Sequence, residues 1–277
     1  MPPVPMITLS NGVAMPQLGY GVFRVHNEPA ESAVATAIEV GYRSIDTAAY
    51  YRNEEGVGRA VASSGVARDD LFITTKLWDT DHGYDNALRA FDVSLGKLGL
   101  DHVDLYLIHW PEPRRNAYVE TWRALERIYA EGRARAIGVS NFHPHRLAEV
   151  IDACEIVPMV NQIELHPWLT QTELRAFHAE HGIVTEGWSP LGHGGDLLKE
   201  PVLLDIAAAH DKSVAQVILR WNIQLGIVAI PKSATPSRIA ENFDIFDFSL
   251  TEAELAAINA LHTGTRTGPD PEARAAR

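Results

Sequence analysis

The sequence predicts a (β/α)8 barrel, and three observations support this fold class. Short runs rich in β-branched and aromatic residues alternate with longer amphipathic segments along nearly all of the 277 residues. The runs LFITT and VDLYLI are largely apolar, with Asp104 as their one charged residue, as expected of parallel strands that are covered on their outer side. Eight such units in about 250 residues match the size of one (β/α)8 barrel.

The elements follow in a regular order. Two short strands around Asn11 and Gly12 match the commonest two-residue hairpin. Barrel strands are then expected at 17–22, 43–46, 71–76, 103–109, 134–139, 159–163, 183–186 and 227–230. Helices are expected at 29–40, 53–64, 84–98, 117–131, 144–153, 170–180, 202–210, 214–224, 236–243 and 251–261, with a Gly-rich insertion after the seventh strand.

An open, doubly wound sheet is the competing architecture, because alternation alone does not distinguish a closed sheet from an open one. The first strand is not followed by G-x-G-x-x-G, which weakens the dinucleotide-binding version of that fold. No internal linker interrupts the pattern. We therefore expect one domain over residues 1–277, with the polar tail 264–277 as a C-terminal arm that is a loop or partly disordered.

Composition and charge exclude several classes of function. The net charge of −12 gives no basic surface for nucleic acid or for an anionic membrane. No segment reaches the ~18 apolar residues that a spanning helix needs, and the N-terminus does not read as a secretory signal. Cys154 is the only cysteine, which excludes an internal disulfide. A soluble cytoplasmic protein without nucleic-acid or membrane partners is expected.

Polar side chains stand at the predicted strand ends, where a barrel of this class carries its chemistry. Asp46, Lys76 and His109 end three successive strands, and Tyr51 lies on the loop after Asp46. Later strand ends carry four further candidates, Asn141, Gln162, Trp188 and Lys232. Taken alone, each of these residues has a purely structural explanation, as a helix cap, a packed ring or a side chain that faces water at the barrel rim. Four acid–base groups on three successive junctions together indicate proton transfer.

The residue types suggest how that transfer works. A tyrosine is a poor acid at neutral pH unless its anion is stabilised. The Lys76 ammonium is expected to favour the phenolate and to lower the pKa of Tyr51, while Asp46 holds the ammonium in place. His109 can donate to a carbonyl oxygen. Such a set protonates an oxygen while hydride reaches the carbon bonded to it.

The motifs that contain these residues resemble those of the aldo-keto reductase superfamily over nearly the whole chain. They are GYRSIDTAAYYRNEEGVG, LFITTKLW, VDLYLIHWP, IGVSNF, VNQIELHP, WSPLG and IPKSATPSRIAEN, and they look most like the bacterial 2,5-diketo-D-gluconate reductase type. The resemblance implies a barrel that binds NADPH without a Rossmann fold, with the hairpin across the barrel bottom. It implies a catalytic tetrad of Tyr51, Asp46, Lys76 and His109, in which Tyr51 is the general acid. Tyr50 is expected to face elsewhere.

The same resemblance implies where the cofactor lies. The residues are Ser140, Asn141 and Gln162 for the carboxamide, Trp188 for the nicotinamide ring, Ser189, Leu191 and Gly192 for the pyrophosphate, Lys232, Ser233 and Arg238 for the 2′-phosphate, and Glu241 and Asn242 for the adenine. Independently of the family, lysine and arginine on a loop that enters a helix form an anion site. Related reductases often carry another basic side chain at the position of Thr235, so we expect some NADH use.

The substrate pocket is expected to have apolar walls beyond the strand ends, formed around the tetrad by Phe23, Trp78, His109 and Trp110. In the manner of the family, the C-terminal arm would partly cover this pocket. The arm carries three arginines, Arg266, Arg274 and Arg277.

The expected function is reduction of small aldehydes, ketones, dicarbonyls or diketo sugar acids by a monomer that uses NADPH. A cofactor-sensing binding subunit is the first alternative, but it would have a degraded tetrad or an added interaction segment, and the sequence has neither. A metal-dependent hydrolase is the second alternative. It needs converging ligands, and the i, i+2 spacing of His143 and His145 does not put both rings on one helical face, with His166 farther along the chain. No metal site is expected.

Overall fold

The computed structural model describes residues 3–273. A hairpin of β1 (Met6–Thr8) and β2 (Ala14–Pro16) precedes eight parallel strands. In chain order these are β3 (Tyr20–Gly21), β4 (Ser44–Asp46), β5 (Phe72–Leu77), β6 (Val103–Ile108), β7 (Ala134–Ser140), β8 (Val160–Glu164), β9 (Val184–Trp188) and β10 (Val228–Ala229). The helices are α1 (Asn27–Val40), α2 (Glu54–Ser63), α3 (Tyr84–Leu98), α4 (Tyr118–Ala130), α5 (Pro144–Ala153), α6 (Thr172–Glu180), α7 (Pro201–His210), α8 (Val214–Gln224), α9 (Pro236–Phe243) and α10 (Glu252–Asn259). Within residues 3–273, none of these helices has the length and apolar character needed to cross a membrane.

Hydrogen bonds between the first and the last barrel strand close the sheet. Leu18 and Ala229 form a parallel bridge, and the Gly19 amide donates to the Ala229 carbonyl at 2.9 Å. Farther along, the Gly21 amide donates to the Pro231 carbonyl at 3.1 Å. The predicted (β/α)8 barrel is therefore confirmed, and the open sheet is excluded because its edge strands would lack partners.

The hairpin covers the N-terminal end of the barrel, as expected. Asn11 Nδ2 donates to the Arg135 carbonyl at 2.9 Å, beside the start of β7. The turn itself differs from the expected two-residue loop. The Leu9 amide donates to the Val13 carbonyl, which leaves three loop residues, and Gly12 takes φ +87. A three-residue hairpin needs this left-handed position, which glycine adopts without a steric penalty.

The predicted helices and barrel strands lie within two residues of the observed ones, except that the first barrel strand begins three residues later than expected. The two strands that close the barrel are the shortest of the eight, at two residues each. The run 17–22 shortens to β3, because the Gln17 amide is already bonded to the Pro5 carbonyl of the hairpin segment. The run 227–230 shortens to β10, and Pro231, which follows it, has no amide hydrogen to donate. Residues 190–199 form a loop and a short 3-10 helix, Gly195–Lys199, before α7.

Close packing at Gly58 gives a stability prediction. A Cβ on this residue of α2 would lie 2.2 Å from the Leu98 carbonyl oxygen, a backbone atom that moves only if α3 shifts. We therefore expect Gly58→Ala to lower the free energy of unfolding by about 1–3 kcal/mol. In α3, a Cβ on Gly96 would meet nothing within 4 Å. Gly96→Ala is therefore the control and should stabilise by about 0.5–1 kcal/mol. Urea denaturation measures both variants, and equal midpoints would contradict the prediction.

Candidate active site

The carboxyl ends of the barrel strands open into a cavity of about 1360 Å³. That is larger than the ~300–1,000 Å³ typical of a site for a drug-sized ligand. All but two of the sequence-predicted site residues line it. Lys76 is fully buried behind the wall, and Gly192 packs inward, where a Cβ would lie 2.7 Å from Leu197 Cδ2. The chain thus brings its candidate residues to one place.

A buried ion pair lies next to the phenol of Tyr51. Lys76 Nζ donates to both Asp46 carboxylate oxygens, at 2.6 and 2.8 Å, and to the Thr47 carbonyl at 2.9 Å. The same nitrogen lies 3.5 Å from Tyr51 Oη. Burial alone would lower the pKa of Lys76, but Asp46, together with Tyr51 and Glu186, outweighs burial and the pKa is raised. The lysine therefore stays charged beside the phenol.

The pKa of Tyr51 is raised to about 12, mainly by burial of the phenol. Lys76 opposes this rise, whereas Asp46 adds to it. Desolvation of the phenolate is the larger effect, so the net shift is upward. The expectation that Lys76 lowers the pKa of Tyr51 holds for the contribution of Lys76 itself, which acts downward through its charge and its hydrogen bond. Across the neutral range the phenol keeps its proton and is available as a donor.

Aromatic rings surround this phenol on the open side. His109 lies edge-on to Tyr51, with ring centroids 5.6 Å apart, and edge-on to Trp78, at 5.3 Å. Tyr50 also lines the cavity and stacks on Trp78 at 3.8 Å. The expectation that Tyr50 faces elsewhere is wrong, because the 3-10 turn Ala49–Tyr51 brings both tyrosines to the cavity. Phe23 packs against Tyr51 at 5.1 Å.

Side chains on β7, on β9 and just after β7 form an amide network. Asn141 Nδ2 donates to Ser140 Oγ and to the His109 carbonyl, at 2.9 and 3.0 Å. Trp188 Nε1 donates to Asn141 Oδ1 at 2.9 Å, which fixes the indole ring. Both hydrogens of the Asn141 amide are thus used, while its oxygen keeps a free lone pair. The network therefore presents acceptors that fit the amino group of a carboxamide.

Gln162 is held by two carboxyl groups. Its Nε2 donates to Asp46 Oδ2 at 2.8 Å and to Glu186 Oε2 at 2.9 Å. Because both partners accept, the amide nitrogen faces them, and the amide oxygen is left for the cavity that Gln162 lines. Sequence reasoning did not identify Glu186 as part of the site. The one feature of the sequence that could have identified Glu186 is its position as a charged residue at the end of a predicted buried strand.

The far end of the cavity is basic. Lys232 and Arg238 line it, and neither forms an ion pair with any residue between 3 and 273. The loop before α9 is tied down, since Tyr20 Oη donates to the Ser233 carbonyl and the Thr235 amide donates to Ser233 Oγ at 3.1 Å. Glu241 and Asn242 line the same end. Two unneutralised cations beside a helix start suit a phosphate group.

The loop between the two ends follows β9. Ser189 and Leu191 line the cavity, and Gly192 supports the loop from beneath. Ser189 and His193 have φ of +50 and +59, a region that residues other than glycine rarely adopt. The glycines of this loop, at 192, 194 and 195, also have positive φ. The chain therefore curls tightly along the cavity wall.

The C-terminal arm forms another wall of the cavity. Buried Glu164, at the end of β8, accepts hydrogen bonds from the Thr267 amide at 2.5 Å, from Thr267 Oγ1 at 2.6 Å and from the Gly268 amide at 3.1 Å. Gly268 lies against Trp188, where a Cβ would be 2.4 Å from the ring. Arg266 points to Glu164 at 3.8 Å and does not line the cavity, whereas Asp270 does.

Three arginines were expected on the C-terminal arm, and two of them, Arg274 and Arg277, lie outside the described residues. Asp270 and Glu272 are carried on the described part of the arm, and each lies near a histidine of the α5 start. The described arm therefore brings carboxylates rather than guanidinium groups to the cavity rim and its surroundings.

The Glu164 contacts predict that the arm loosens when this carboxylate is lost. Burial would raise the pKa of Glu164, but hydrogen bonds from His166 and Thr267 outweigh it and lower the pKa. The arm should thus stay attached at neutral pH and loosen as the pH falls through that lowered pKa. We expect Glu164→Gln to speed tryptic cleavage after Arg266 about ten-fold, since hydrogen bonds to charged groups are the stronger ones.

Glu272→Gln is the matched control for this measurement. Glu272 is on the arm, but its carboxylate has only partly exposed ion-pair contacts, with Arg146 at 3.1 Å and with His145 at 3.4 Å. Surface pairs contribute little, so its cleavage rate should stay within about two-fold of the wild type. Equal cleavage of the two variants, followed by mass spectrometry, would show that Glu164 does not hold the arm.

No group of three or more histidine, cysteine or acidic side chains converges on a point within residues 3–273. The spacing argument about His143 and His145 needs correction. Their rings are stacked with centroids 6.3 Å apart, because His143 is the extended N-cap of α5 and is not helical. Each ring faces a carboxylate of the arm instead of a shared third ligand, as His143 lies 4.0 Å from Asp270 and His145 lies 3.4 Å from Glu272.

At the mouth of the barrel, a phenol that keeps its proton lies beside an ammonium, and the same cavity extends to two cations that suit a phosphate group. Together these features indicate an oxidoreductase with a (β/α)8 fold. A family model described as "Aldo/keto reductase family" matches residues 9–263. The chain belongs to the aldo/keto reductase family.

Individual proteins agree with this membership. A glyoxal reductase of Bacillus subtilis is 55% identical over 96% of this chain and 96% of its own. A methylglyoxal reductase of Yersinia pestis is 52% identical over 97% of this chain and 96% of its own. The crystal structure of a Bombyx mori aldo-keto reductase in complex with NADP has a TM-score of 0.92 at 38% identity, and the match covers 100% of this chain and 99% of that one.

Proposed function

We propose that this protein reduces small aldehydes, ketones and dicarbonyls to alcohols with NADPH. The observation that carries the proposal is the position of the protonated Tyr51 hydroxyl, 3.5 Å from Lys76 Nζ and at the mouth of the cavity. The glyoxal and methylglyoxal reductases among the relatives support dicarbonyl substrates, and the NADP complex of the Bombyx mori protein supports the cofactor.

Each tetrad residue has a distinct role in this proposal. When bound, NADPH supplies the hydride that the carbonyl carbon receives. Tyr51 donates its proton to the carbonyl oxygen as negative charge develops there. His109 orients the same oxygen by hydrogen bonding. Lys76 stabilises the phenolate that remains, and Asp46 keeps Lys76 charged and in place.

The remaining residues of the cavity suit the cofactor. We infer that the carboxamide is held by the acceptors of the amide network and that the Trp188 ring, fixed by Asn141, stacks on the nicotinamide. The proposed contacts, from the nicotinamide end to the adenine end, are Ser140, Asn141, Gln162, Trp188, Ser189, Leu191, Lys232, Ser233, Arg238, Glu241 and Asn242. Gly192 is proposed to act indirectly, by supporting the loop that runs along the pyrophosphate.

The positive charges of Lys232 and Arg238 support a preference for NADPH over NADH, whereas the uncharged Thr235 supports some use of NADH. We expect Arg238→Ala to raise the KM for NADPH about 10-fold or more and to leave the KM for NADH nearly unchanged, because only NADPH has the 2′-phosphate that a guanidinium can bind. Arg220→Ala is the control, since Arg220 faces Ser249 and Gln224 away from the cavity. Equal losses with both cofactors would remove Arg238 from the phosphate site.

The walls at the tetrad end support a neutral substrate. Phe23, Tyr50, Trp78 and Trp110 give an aromatic lining. Charged side chains of both signs also line the cavity, Asp270 and Arg24, and the Arg24 guanidinium lies 5.2 Å from the centre of the Phe23 ring. The aromatic walls support faster reduction of neutral dicarbonyls than of diketo sugar acids.

A carbonyl panel tests the proposed function. Methylglyoxal, phenylglyoxal, a diketo sugar acid and simple aldehydes should be followed by oxidation of NADPH and of NADH side by side. We expect the highest kcat/KM for the neutral dicarbonyls with NADPH. Absence of turnover with every carbonyl and both cofactors, despite tight NADPH binding, would favour a cofactor-sensing subunit. The intact tetrad argues against that alternative.

We also infer that the protein works as a single-domain monomer in the cytoplasm, with no nucleic-acid or membrane partner. All the residues proposed for catalysis and cofactor binding come from one chain, which supports a monomer. The acidic net charge of −12 supports the absence of nucleic acid. Light scattering on the purified protein tests the oligomeric state.

A further inference from the structure

Glu186 is a buried carboxyl group that the proposed reaction does not yet use. It lies on β9 opposite Gln162 of β8, its register partner on the neighbouring parallel strand, so the two side chains point to the same side of the sheet. Glu186 Oε2 accepts from Gln162 Nε2 at 2.9 Å. Its other carboxyl oxygen, Oε1, has no hydrogen-bond partner among residues 3–273, and the residue is 0% exposed.

Charged and titratable groups face Glu186 from several elements. Asp46 on β4 shares the Gln162 amide with it. Lys76 on β5 and Tyr51 on the turn after β4 interact with it electrostatically. On the other side, its register partner on β10 is Val228, which does not titrate. The charge on Glu186 therefore belongs to the same buried cluster as the proton donor.

We propose that Glu186 is a positioning residue of this reductase: with Asp46 it orients the Gln162 amide toward the nicotinamide side of the cavity, and its protonation state sets how readily Tyr51 releases a proton. The proposal rests on the carbonyl reduction proposed above. Two carboxyl acceptors on one amide nitrogen leave the Gln162 oxygen no orientation other than toward the cavity.

The rate of carbonyl reduction should depend on pH because the charge of this buried cluster changes with pH. Burial, together with Asp46, raises the pKa of Glu186 to about 8. Below this pH Glu186 is neutral, and the cluster contains one carboxylate and one ammonium. Above it a second carboxylate appears near Tyr51, which makes the phenol a weaker acid, so reduction should slow.

The same ionisation acts on stability. Because the folded-state pKa of Glu186 lies above its ordinary value, its contribution to stability is fully present below that ordinary value, falls as the pH rises above it, and is lost completely once the pH passes about 8. A glutamine at this position stays neutral at every pH and can still accept from Gln162. It therefore mimics the protonated acid without the ionisation.

The test compares Glu186→Gln with a matched control, Glu54→Gln. Glu54 is also buried, receives one hydrogen bond, from Thr75 Oγ1 at 2.6 Å, and has one oxygen, Oε2, without a partner within residues 3–273. Single-turnover reduction of methylglyoxal, started with NADPH already bound, should be followed from pH 6 to pH 10. The melting temperature should be measured from about pH 4 to pH 10, so that the range includes the region where Glu186 is neutral in the folded and the unfolded state.

We expect the wild-type and Glu54→Gln single-turnover rates to fall with an apparent pKa near 8. In Glu186→Gln this fall should be absent, with a rate near that of the wild type at pH 6.5. Its melting temperature should equal that of the wild type only at about pH 4, should already exceed it at pH 6, and should exceed it by several degrees at pH 9.5. An unchanged alkaline fall in Glu186→Gln would overturn the proposal, as would its loss in Glu54→Gln.

A binding measurement separates this proposal from the proposed function. Glu186→Leu removes the acceptor for Gln162, so we expect the Kd for NADPH, from quenching of tryptophan fluorescence, to rise about two- to ten-fold, as for loss of one hydrogen bond. Glu186→Gln should restore the wild-type Kd. This result does not depend on turnover. An unchanged Kd in Glu186→Leu would show that Glu186 does not position Gln162, whereas a wild type that reduces no carbonyl would refute the proposed function itself.

Discussion

Replacement of Tyr51 by phenylalanine is expected to lower kcat for carbonyl reduction by at least about 100-fold, since a positioned general acid contributes roughly 10²–10⁴-fold. The change removes one hydroxyl and keeps the ring that packs against Phe23 at 5.1 Å and His109 at 5.6 Å. The pocket should thus keep its shape, and the loss should appear in the chemical step.

Binding of NADPH to Tyr51→Phe serves as the internal control. The phenol lies beside Lys76, and the residues proposed for the cofactor lie on β7 to β9, on the loops after β7, β9 and β10, and on α9. The Kd for NADPH should therefore stay within about three-fold of the wild type, which is less than the worth of one hydrogen bond. A variant that is inactive only because NADPH no longer binds would contradict the assigned role.

Loss of Lys76 is expected to affect both stability and activity. Lys76 is 0% exposed and Asp46 is 2% exposed, so removal of the ammonium leaves a buried carboxylate without its counter-ion. Breaking a buried pair in this way costs about 3–5 kcal/mol. We expect Lys76→Met to lower the free energy of unfolding by this amount in urea denaturation and to abolish reduction, because the phenolate loses its stabilising charge.

The double variant Asp46→Asn, Lys76→Met separates the two effects. With both charges removed, no uncompensated carboxylate remains, and replacement of a buried pair by neutral groups is often nearly neutral for stability. We expect the double variant to recover most of the lost stability and none of the activity. Recovery of activity in the double variant would mean that Tyr51 does not need the ammonium.

The sequence was informative where a local pattern determines the three-dimensional arrangement. Largely apolar runs separated by amphipathic helices indicated parallel strands, and the carboxyl ends of parallel strands meet at one rim. That argument alone brought Asp46, Lys76 and His109 together. The structure adds the ion pair, whose geometry follows from the register of β4 and β5, in which Asp46 pairs with Thr74, two residues before Lys76.

Contacts set by long-range register were not readable from the sequence. Glu186 joins the site because β8 and β9 place it opposite Gln162, and no local pattern specifies that pairing. Glu164 holds the C-terminal arm across a separation of 103 residues. The net direction of the Tyr51 pKa shift was not readable either, because the sequence indicates the lowering effect of Lys76 but not how deeply the phenol is buried.

The choice between the two neighbouring tyrosines is tested most directly by one comparison, kcat/KM for methylglyoxal with NADPH in Tyr51→Phe and in Tyr50→Phe. Both rings line the cavity, but only Tyr51 is hydrogen-bonded to Lys76. Tyr50→Phe keeps the stacking on Trp78 and should retain activity within about ten-fold, whereas Tyr51→Phe should lose about 100-fold or more. A greater loss in Tyr50→Phe than in Tyr51→Phe would contradict the assignment of Tyr51 as the proton donor.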